Sequence, residues 1–177
     1  MTFVTRWLDD DEQHAWRTFG LATRLLTDRL ERDLLTAADM PPTYYELLVL
    51  LSEAPERTLR MSELATWTNS KPSRITHAIN KLEQKGWVRR EHCADDRRGW
   101  LAVLTDDGLA ALRAAAPRHV ASVREHLIDL LTPDQLRQLA DISQVLLDHL
   151  TGPRSDRDHL TGPRSDRDHL AGPRSDR

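Results

Sequence analysis

Apolar positions recur at helical spacing over most of the chain and predict about six helices. Between residues 9 and 36 they fall mostly on one face, and Asp9–Glu12 places acidic side chains where they favour a helix start. Further helices are predicted at 43–52, 61–68, 70–85, 105–131 and 133–150. Trp87–Cys93 and Trp100–Leu104, which flank a charged turn, are typical of short strands. The pattern predicts a mainly α protein with a small sheet.

Helix-breaking residues separate these segments. Pro41 and Pro42 interrupt the chain after the first helix, and Gly86 ends the fourth. Thr132 followed by Pro133 is typical of a helix start with proline in the first turn. Pro117 is expected to bend the fifth helix or to mark its weak point.

A decapeptide repeat fills the end of the chain. The sequence DHLTGPRSDR at 148–157 recurs at 158–167, and again at 168–177 with Ala171 in place of Thr. The first copy continues the last helix, and Gly152-Pro153 then stops it. We therefore expect 151–177 to be a disordered tail. A tail for binding or modification remains the alternative, since each copy carries a serine between Arg and Asp: Ser155, Ser165 and Ser175.

The distribution of charge is more informative than its total. The chain has a net charge of −3, which argues mildly against a nucleic-acid partner. However, 55–105 carries +4, whereas 1–54 carries −5, 106–150 carries −3 and 151–177 carries +1. A basic segment between two acidic ones favours a local DNA-binding surface.

Composition narrows the class of protein and its location. With 39% hydrophobic and 30% charged residues, the chain fits a soluble globular protein. Cys93 is the single cysteine, which excludes an intramolecular disulfide and suits a reducing cytoplasm. The sequence shows neither a signal peptide nor a run long enough to cross a bilayer, so we expect a cytoplasmic protein without a membrane partner.

The basic segment contains a predicted helix–turn–helix. Leu64 and Ala65 have the spacing to pack against Ile75, Ile79 and Leu82 of the next helix. The opposite face of that second helix is basic and rich in hydrogen-bonding groups, as the DNA major groove requires. It comprises Ser70, Lys71, Ser73, Arg74, His77, Asn80 and Lys81. An ordinary solvated helix face is the alternative.

The charged turn between the two strands adds a second candidate contact. Asp95-Asp96-Arg97-Arg98-Gly99 puts two arginines at a hairpin tip, where they suit a narrow and strongly negative minor groove. One arginine can pair with an aspartate while the other reaches the DNA. A surface hairpin whose charges neutralise each other remains open.

Three stretches together resemble the MarR family of regulators. Residues 96–108 resemble the wing signature of that family, an Asp, any residue, an Arg, five residues and then Leu-Thr. Residues 61–65 and 73–88 are similar to its helix–turn–helix. The order of elements matches from about residue 9 to 150. The resemblance implies a homodimeric winged-helix protein that binds an inverted-repeat operator on double-stranded DNA, most often as a repressor.

The resemblance also implies an organisation into parts. It makes 1–54 an N-terminal dimerisation helix with a connecting helix, 55–105 the winged helix–turn–helix head, and 106–150 the C-terminal dimerisation helices. The apolar faces of the terminal helices agree, because they exceed what a small head can cover. The predicted fold is therefore mainly α, with about six helices and a sheet of two or three strands.

Roles follow for single residues. The family signature suggests that Asp96 pairs with Arg98 to hold the wing, while Arg97 or Arg98 enters the minor groove. Thr58–Arg60 is expected to add a short strand to the sheet of the wing. Phosphate contacts are expected from Arg57, Arg60, Lys81 and Lys85.

Family members often bind aromatic anions in the cleft between the dimer body and the head. Such an effector pocket is predicted from Trp16, Tyr44 and Tyr45, with Arg17 or Arg24 as the cation. Simple packing of these aromatic side chains in the core is the alternative for each of them.

Other functions find weaker support. Neither a glycine-rich phosphate loop nor a nucleophile–base signature is present, so we expect no enzyme and no cofactor. His119 and His126 can share a helix face, but no compact His/Cys cluster accompanies them, and no metal is expected. Some family members sense oxidants through a cysteine near the first helix, whereas Cys93 lies in the wing strand. A redox or metal sensor, and a structural DNA-binding protein, remain the alternatives.

Overall fold

A computed structural model describes residues 5–93 and 99–151, and within these ranges the protein is mainly helical with a small sheet. The helices are α1 (Asp10–Ala38), α2 (Pro42–Glu53), α3 (Met61–Trp67), α4 (Pro72–Gln84), α5 (Asp106–His126) and α6 (Pro133–Thr151). The strands are β1 (Thr58–Arg60), β2 (Val88–His92) and β3 (Trp100–Leu104). The predicted fold class is confirmed.

Three helices begin with a side-chain cap. The carboxylate of Asp9 accepts a hydrogen bond from the backbone N–H of Glu12 at 2.8 Å, and the Glu12 carboxylate accepts one from Asp9 in return. Thr105 caps α5 by accepting from the N–H of Gly108 at 3.0 Å. Thr132 and Gln135 form a reciprocal pair at the start of α6. These bonds satisfy N–H groups that the first turn of a helix leaves unpaired.

The start of α4 and the end of α5 differ from the prediction. Helix α4 begins at Pro72 rather than at residue 70, because a residue that precedes proline is disfavoured in helical geometry. Helix α5 passes through Pro117 and ends at His126, five residues before the predicted limit of 131. Leu127 leaves helical geometry, and a 3₁₀ turn at Ile128–Leu130 follows.

The three strands form an antiparallel sheet in the order β1-β3-β2. The predicted strand at Thr58–Arg60 is confirmed, and it pairs with β3 from Thr58 opposite Val103 to Arg60 opposite Leu101. Strand β2 pairs with the other edge of β3, from Val88 opposite Leu104 to His92 opposite Trp100. The hairpin is thereby joined directly to the segment that precedes α3.

The predicted packing of the helix–turn–helix is confirmed. Its apolar side chains lie in one core with residues of α2, of the sheet and of the first half of α5. Its fully buried members include Leu47, Leu48, Leu51, Leu64, Ile75, Ile79, Leu82 and Leu112. Because this core touches α4 along one whole face, it fixes the direction in which the opposite face of that helix points.

The long helices extend well beyond this core. Helix α1 has 29 residues and buries only Leu34, and α6 has 19 residues and buries none. Asp33 joins α1 to α5, where it accepts hydrogen bonds from Ser122 at 2.7 Å and lies 3.2 Å from the ring of His126. Within the ranges that the structure describes, no helix is both long and apolar enough to cross a bilayer.

An aromatic pair joins α2 to the middle of α5. The rings of Tyr45 and His119 lie 4.5 Å apart, and Nδ1 of His119 is buried without a hydrogen-bond partner in the part of the chain that the structure describes. Burial lowers the pKa of His119, because the imidazolium form would lose its hydration. It raises the pKa of Tyr45, as does the nearby charge of Glu53. The contact therefore favours the uncharged form of His119.

We expect acid to weaken this contact. The folded protein binds a proton at His119 only below the ordinary pKa of 6.5, whereas the unfolded chain binds it near 6.5. The free energy of unfolding should therefore fall as the pH drops through 6.5, and His119→Phe should reduce that fall. Urea unfolding at about pH 7.5 and about pH 5.5 measures both. The same substitution at His14, exposed on α1, is the control, and an equal reduction there would contradict the assignment.

Candidate nucleic-acid interface

The exposed face of α4 carries the polar side chains that the sequence analysis selected. Ser73, Arg74, His77 and Lys81 are exposed, while the opposite face of the helix is buried in the core. No Asp or Glu lies between residues 64 and 82, so no acidic side chain of the helix opposes a phosphate there. The face combines cations with hydroxyl and imidazole groups, as a surface that reads a major groove requires.

The turn before α4 extends this face. Asn69 takes a left-handed conformation with φ +46°, and the next residue, Ser70, donates its backbone N–H to the carbonyl of Ala65 at 2.9 Å. This turn brings two of the predicted contacts next to the helix start and forms a surface depression of about 540 Å³. The depression is lined by Asn69, Ser70, Lys71, Ser73, Arg74 and His77.

The positive charge of Arg74 acts on a carboxyl group of α2. Burial raises the pKa of the Glu46 carboxyl, and the guanidinium of Arg74 partly opposes that rise. The side chain of Arg74 is itself exposed, and within 5–93 and 99–151 it shows no hydrogen bond to another side chain. The guanidinium of Arg74 is thus available to bind a ligand, and the carboxyl group of Glu46 opposes its charge only weakly.

Asn80 differs from the rest of the predicted set. It is half-buried, and its Oδ1 atom is shielded from solvent without a hydrogen-bond partner among the described residues. The structure therefore places Asn80 at the edge of the exposed face, where its amide faces the protein rather than the open groove. Contact with a base would require this side chain to turn outward, and its role stays a prediction.

The predicted wing lies at the end of the hairpin. Cys93 donates its backbone N–H to the carbonyl of Gly99 at 3.0 Å, which closes the hairpin beyond the last strand pair. Asp96, Arg97 and Arg98 lie outside the described residues, so the salt bridge and the minor-groove contact stay predictions. Cys93 itself is buried.

The predicted phosphate contacts fall into different surroundings. Arg57 forms an exposed ion pair with Asp106 at 2.8 Å, at the start of α5, and its phosphate contact stays a prediction. Arg60 is exposed at the start of α3, where its backbone N–H donates to Glu63 at 2.7 Å. Lys81 bonds Gln84, and Lys85 lies over the ring of Trp87 at 4.9 Å. Of these, Lys81 lies on the exposed face of α4.

Two contacts were missed by the sequence analysis. Glu83 accepts hydrogen bonds from the side chain of Arg90, the shortest at 2.7 Å, and so ties α4 to β2. On the same hairpin, the ring of His92 lies against that of Trp100, with ring centroids 3.8 Å apart and a tilt of 37° between the planes. Neither contact has a local signature, because the first depends on how β2 packs against α4 and the second on the pairing of β2 with β3.

The residues of the predicted effector pocket have contrasting environments. Tyr44 and Tyr45 are half-buried and pack against the core. Trp16 is 65% exposed and Arg17 is exposed, both in the first half of α1. Among the described residues, no group of three His, Cys, Asp or Glu side chains is arranged to bind a metal ion. The effector pocket stays a prediction.

Comparison with known proteins agrees with this geometry. A family model described as "MarR family" matches residues 40–99. The chain is 46% identical to Sco3205 of Streptomyces coelicolor, a MarR family transcriptional regulator crystallised in complex with DNA. That match covers 85% of this chain and 94% of the relative, with a TM-score of 0.81. AbsC from the same organism is 49% identical, covering 84% and 100% of the two chains with a TM-score of 0.79.

More distant relatives are named as repressors. The transcriptional repressor MdtR of Bacillus subtilis is 29% identical over 127 residues, which cover 71% of this chain and 81% of MdtR. The repressor MprA of Escherichia coli is 26% identical over 136 residues, which cover 77% and 76%. The family is one of regulators rather than enzymes. Because the two Streptomyces proteins match almost over their full lengths with the same fold, the chain is a transcriptional regulator of the MarR family.

Proposed function

We propose that the protein is a repressor that binds an inverted-repeat operator as a homodimer, with α4 in the major groove. The observation that carries this proposal is the exposed face of α4, which presents cationic and hydrogen-bonding side chains. The opposite face of the helix is buried in the core and fixes its orientation. A relative of 46% identity crystallised in complex with DNA and relatives named as repressors support the proposal.

The homodimer is inferred from the terminal helices. Helix α6 buries no residue against the rest of the described chain, and an isolated helix of this length is marginal in water. Its exposed apolar side chains, together with those of α1, need a partner surface. A second copy supplies it with two-fold symmetry, which sets two α4 helices about 34 Å apart on one side of the DNA.

The remaining parts of the proposal concern the wing, the switch and the location. The wing arginines Arg97 and Arg98 bind the adjacent minor groove, and a small aromatic or anionic effector releases the protein from its operator. Operator binding takes place in the cytoplasm, where the operator lies. A redox or metal switch on the same fold, or a structural DNA-binding protein, would be the competing functions.

Selection from random duplexes tests the proposal. The full chain is incubated with a pool of random double-stranded DNA, and bound molecules are enriched, sequenced and measured by gel shift. We expect an inverted repeat with half-sites about one helical turn apart, bound about 10³-fold or more tightly than unrelated DNA. Enrichment without a consensus would indicate a structural DNA-binding protein and would contradict the regulator proposed here.

Arg74→Ala should weaken binding to the selected operator and relax its sequence preference. A bidentate contact of arginine with a base contributes about 1–3 kcal/mol of discrimination, so we expect a loss of about 5- to 150-fold at one position of each half-site. Affinities for operators with single base changes measure it. Arg118→Ala, an exposed arginine on α5, is the control. Equal weakening on all sequences would make Arg74 a phosphate contact instead.

A further inference from the structure

An exposed aromatic pair lies at the last rung of the hairpin before its turn. His92 and Trp100 are register partners, and their ring centroids are 3.8 Å apart. Trp100 is 42% exposed, although tryptophan gains more than most side chains from burial. Neither α4 nor the wing arginines account for this pair in the function proposed above.

The pair is on the face of the hairpin that is turned toward α4. Side chains alternate along a strand, so Val88, Arg90 and His92 share one face of β2. Val88 is buried in the core that includes α4. Arg90 bonds Glu83 of α4 at 2.7 Å, and its guanidinium lies 5.7 Å from the ring centroid of Trp100. A continuous set of contacts therefore runs from α4 to the aromatic pair.

This position has a consequence for bound DNA. In the proposed complex α4 occupies the major groove and the turn of the hairpin faces the minor groove. One phosphodiester strand separates the two grooves, and it must pass between α4 and that turn. The face of the hairpin that carries Trp100 is on the side where this phosphodiester strand passes. The indole Nε1–H is a donor without acceptor capacity, which suits a phosphate oxygen, and the ring can cover a deoxyribose.

We propose that Trp100, with His92 stacked on its ring, donates a hydrogen bond to the phosphodiester strand between the two grooves. The contact fixes the spacing between the α4 contact and the wing contact, because it lies between them. Glu83 and Arg90 act as positioning residues that hold the indole toward α4. This inference rests on the proposed binding of DNA by α4 and the hairpin.

The experiment uses the duplex selected above and replaces one phosphate at a time by a neutral methylphosphonate. Wild-type protein should lose affinity at one or two phosphates between the major-groove and minor-groove contacts of each half-site. Trp100→Phe keeps a stacking ring but has no donor, so it should bind unmodified duplex about three- to tenfold more weakly. Replacement of those same phosphates should not lower the affinity of Trp100→Phe any further. Trp7→Phe, another exposed tryptophan, is the matched control and should keep the wild-type profile.

The dependence on salt gives an independent readout. A neutral N–H donor releases no condensed counterion, so the slope of log affinity against log salt should be the same for Trp100→Phe and wild type. Identical methylphosphonate profiles for the two proteins would overturn the inference. Failure of the proposed function is distinct, because wild-type protein would then select no discrete duplex at all.

Discussion

Substitution of Ile142 by Asp should convert the protein to a monomer and weaken operator binding by at least about 100-fold. Ile142 is 58% exposed in the single chain, at the centre of the apolar face of α6. In a monomer an aspartate there would be solvated at little cost. Against a partner helix the same carboxylate would be buried without a counter-charge, which costs several kcal/mol.

The loss of affinity follows from the loss of a second binding site. In the proposed dimer two α4 helices would bind two half-sites at once, so the second contact would benefit from a high effective concentration. Such coupling contributes about 10²- to 10⁴-fold to overall affinity, and it disappears when the subunits separate. Sedimentation measures the oligomeric state, and gel shift on the full operator and on a single half-site separates dimerisation from recognition.

Gln144→Asp provides the matched control. It introduces the same charge on α6, two residues from Ile142, on the opposite side of the helix, where Gln144 already bonds Asp148 at 2.8 Å. This variant should stay dimeric and bind the full operator as wild type does. A dimeric Ile142→Asp protein with wild-type affinity would refute α6 as the dimer contact.

Local chemistry made most of the fold predictable. The predicted starts of the first and fifth helices coincide with the caps Asp9 and Thr105, because a cap depends on residues only three positions apart. The polar face of α4 is equally predictable from the sequence, since the spacing of Ile75, Ile79 and Leu82 leaves the polar positions on the other side of the helix. Helix α4 starts at Pro72, two residues after the predicted start, because the constraint that proline imposes on the preceding residue outweighs the polarity of 70–71.

Contacts between distant segments were not predictable from the sequence. Glu83 ends the basic stretch of α4 in the sequence, yet its carboxylate bonds Arg90 on β2, a contact that depends on how the strand packs against the helix. Asn80 was counted with the exposed face, because a helical wheel does not show how far neighbouring elements cover its edge. The ion pair of Arg57 with Asp106, at 2.8 Å, likewise joins residues far apart in the sequence and has no local signature.

The junction between the sheet and α5 depends on a glycine. The backbone N–H of Thr105 donates to the carbonyl of Trp87 at 3.1 Å, and Thr105 Oγ1 donates to the carbonyl of Gly86 at 2.7 Å. These bonds draw the first turn of α5 onto the turn that follows α4. At Gly108 a Cβ atom would overlap the carbonyl oxygen of Trp87 and would lie 2.8 Å from Cδ1 of Leu104. The close approach is possible because residue 108 has no side chain.

Gly108→Ala should therefore destabilise the protein by about 3 kcal/mol or more, since the overlap is with backbone and cannot be relieved by a rotamer change. Because α5 connects the sheet to the proposed dimer helices, operator affinity should fall together with stability. Urea unfolding measures the first and gel shift the second. Gly20→Ala is the matched control: it is also in a helix, a Cβ there meets no atom within 4 Å, and it should stabilise the protein by about 0.5–1 kcal/mol. If both alanines stabilised the protein, the close contact between α5 and Trp87 would not exist in solution, and the orientation of the α4 face relative to the dimer helices would have to be revised.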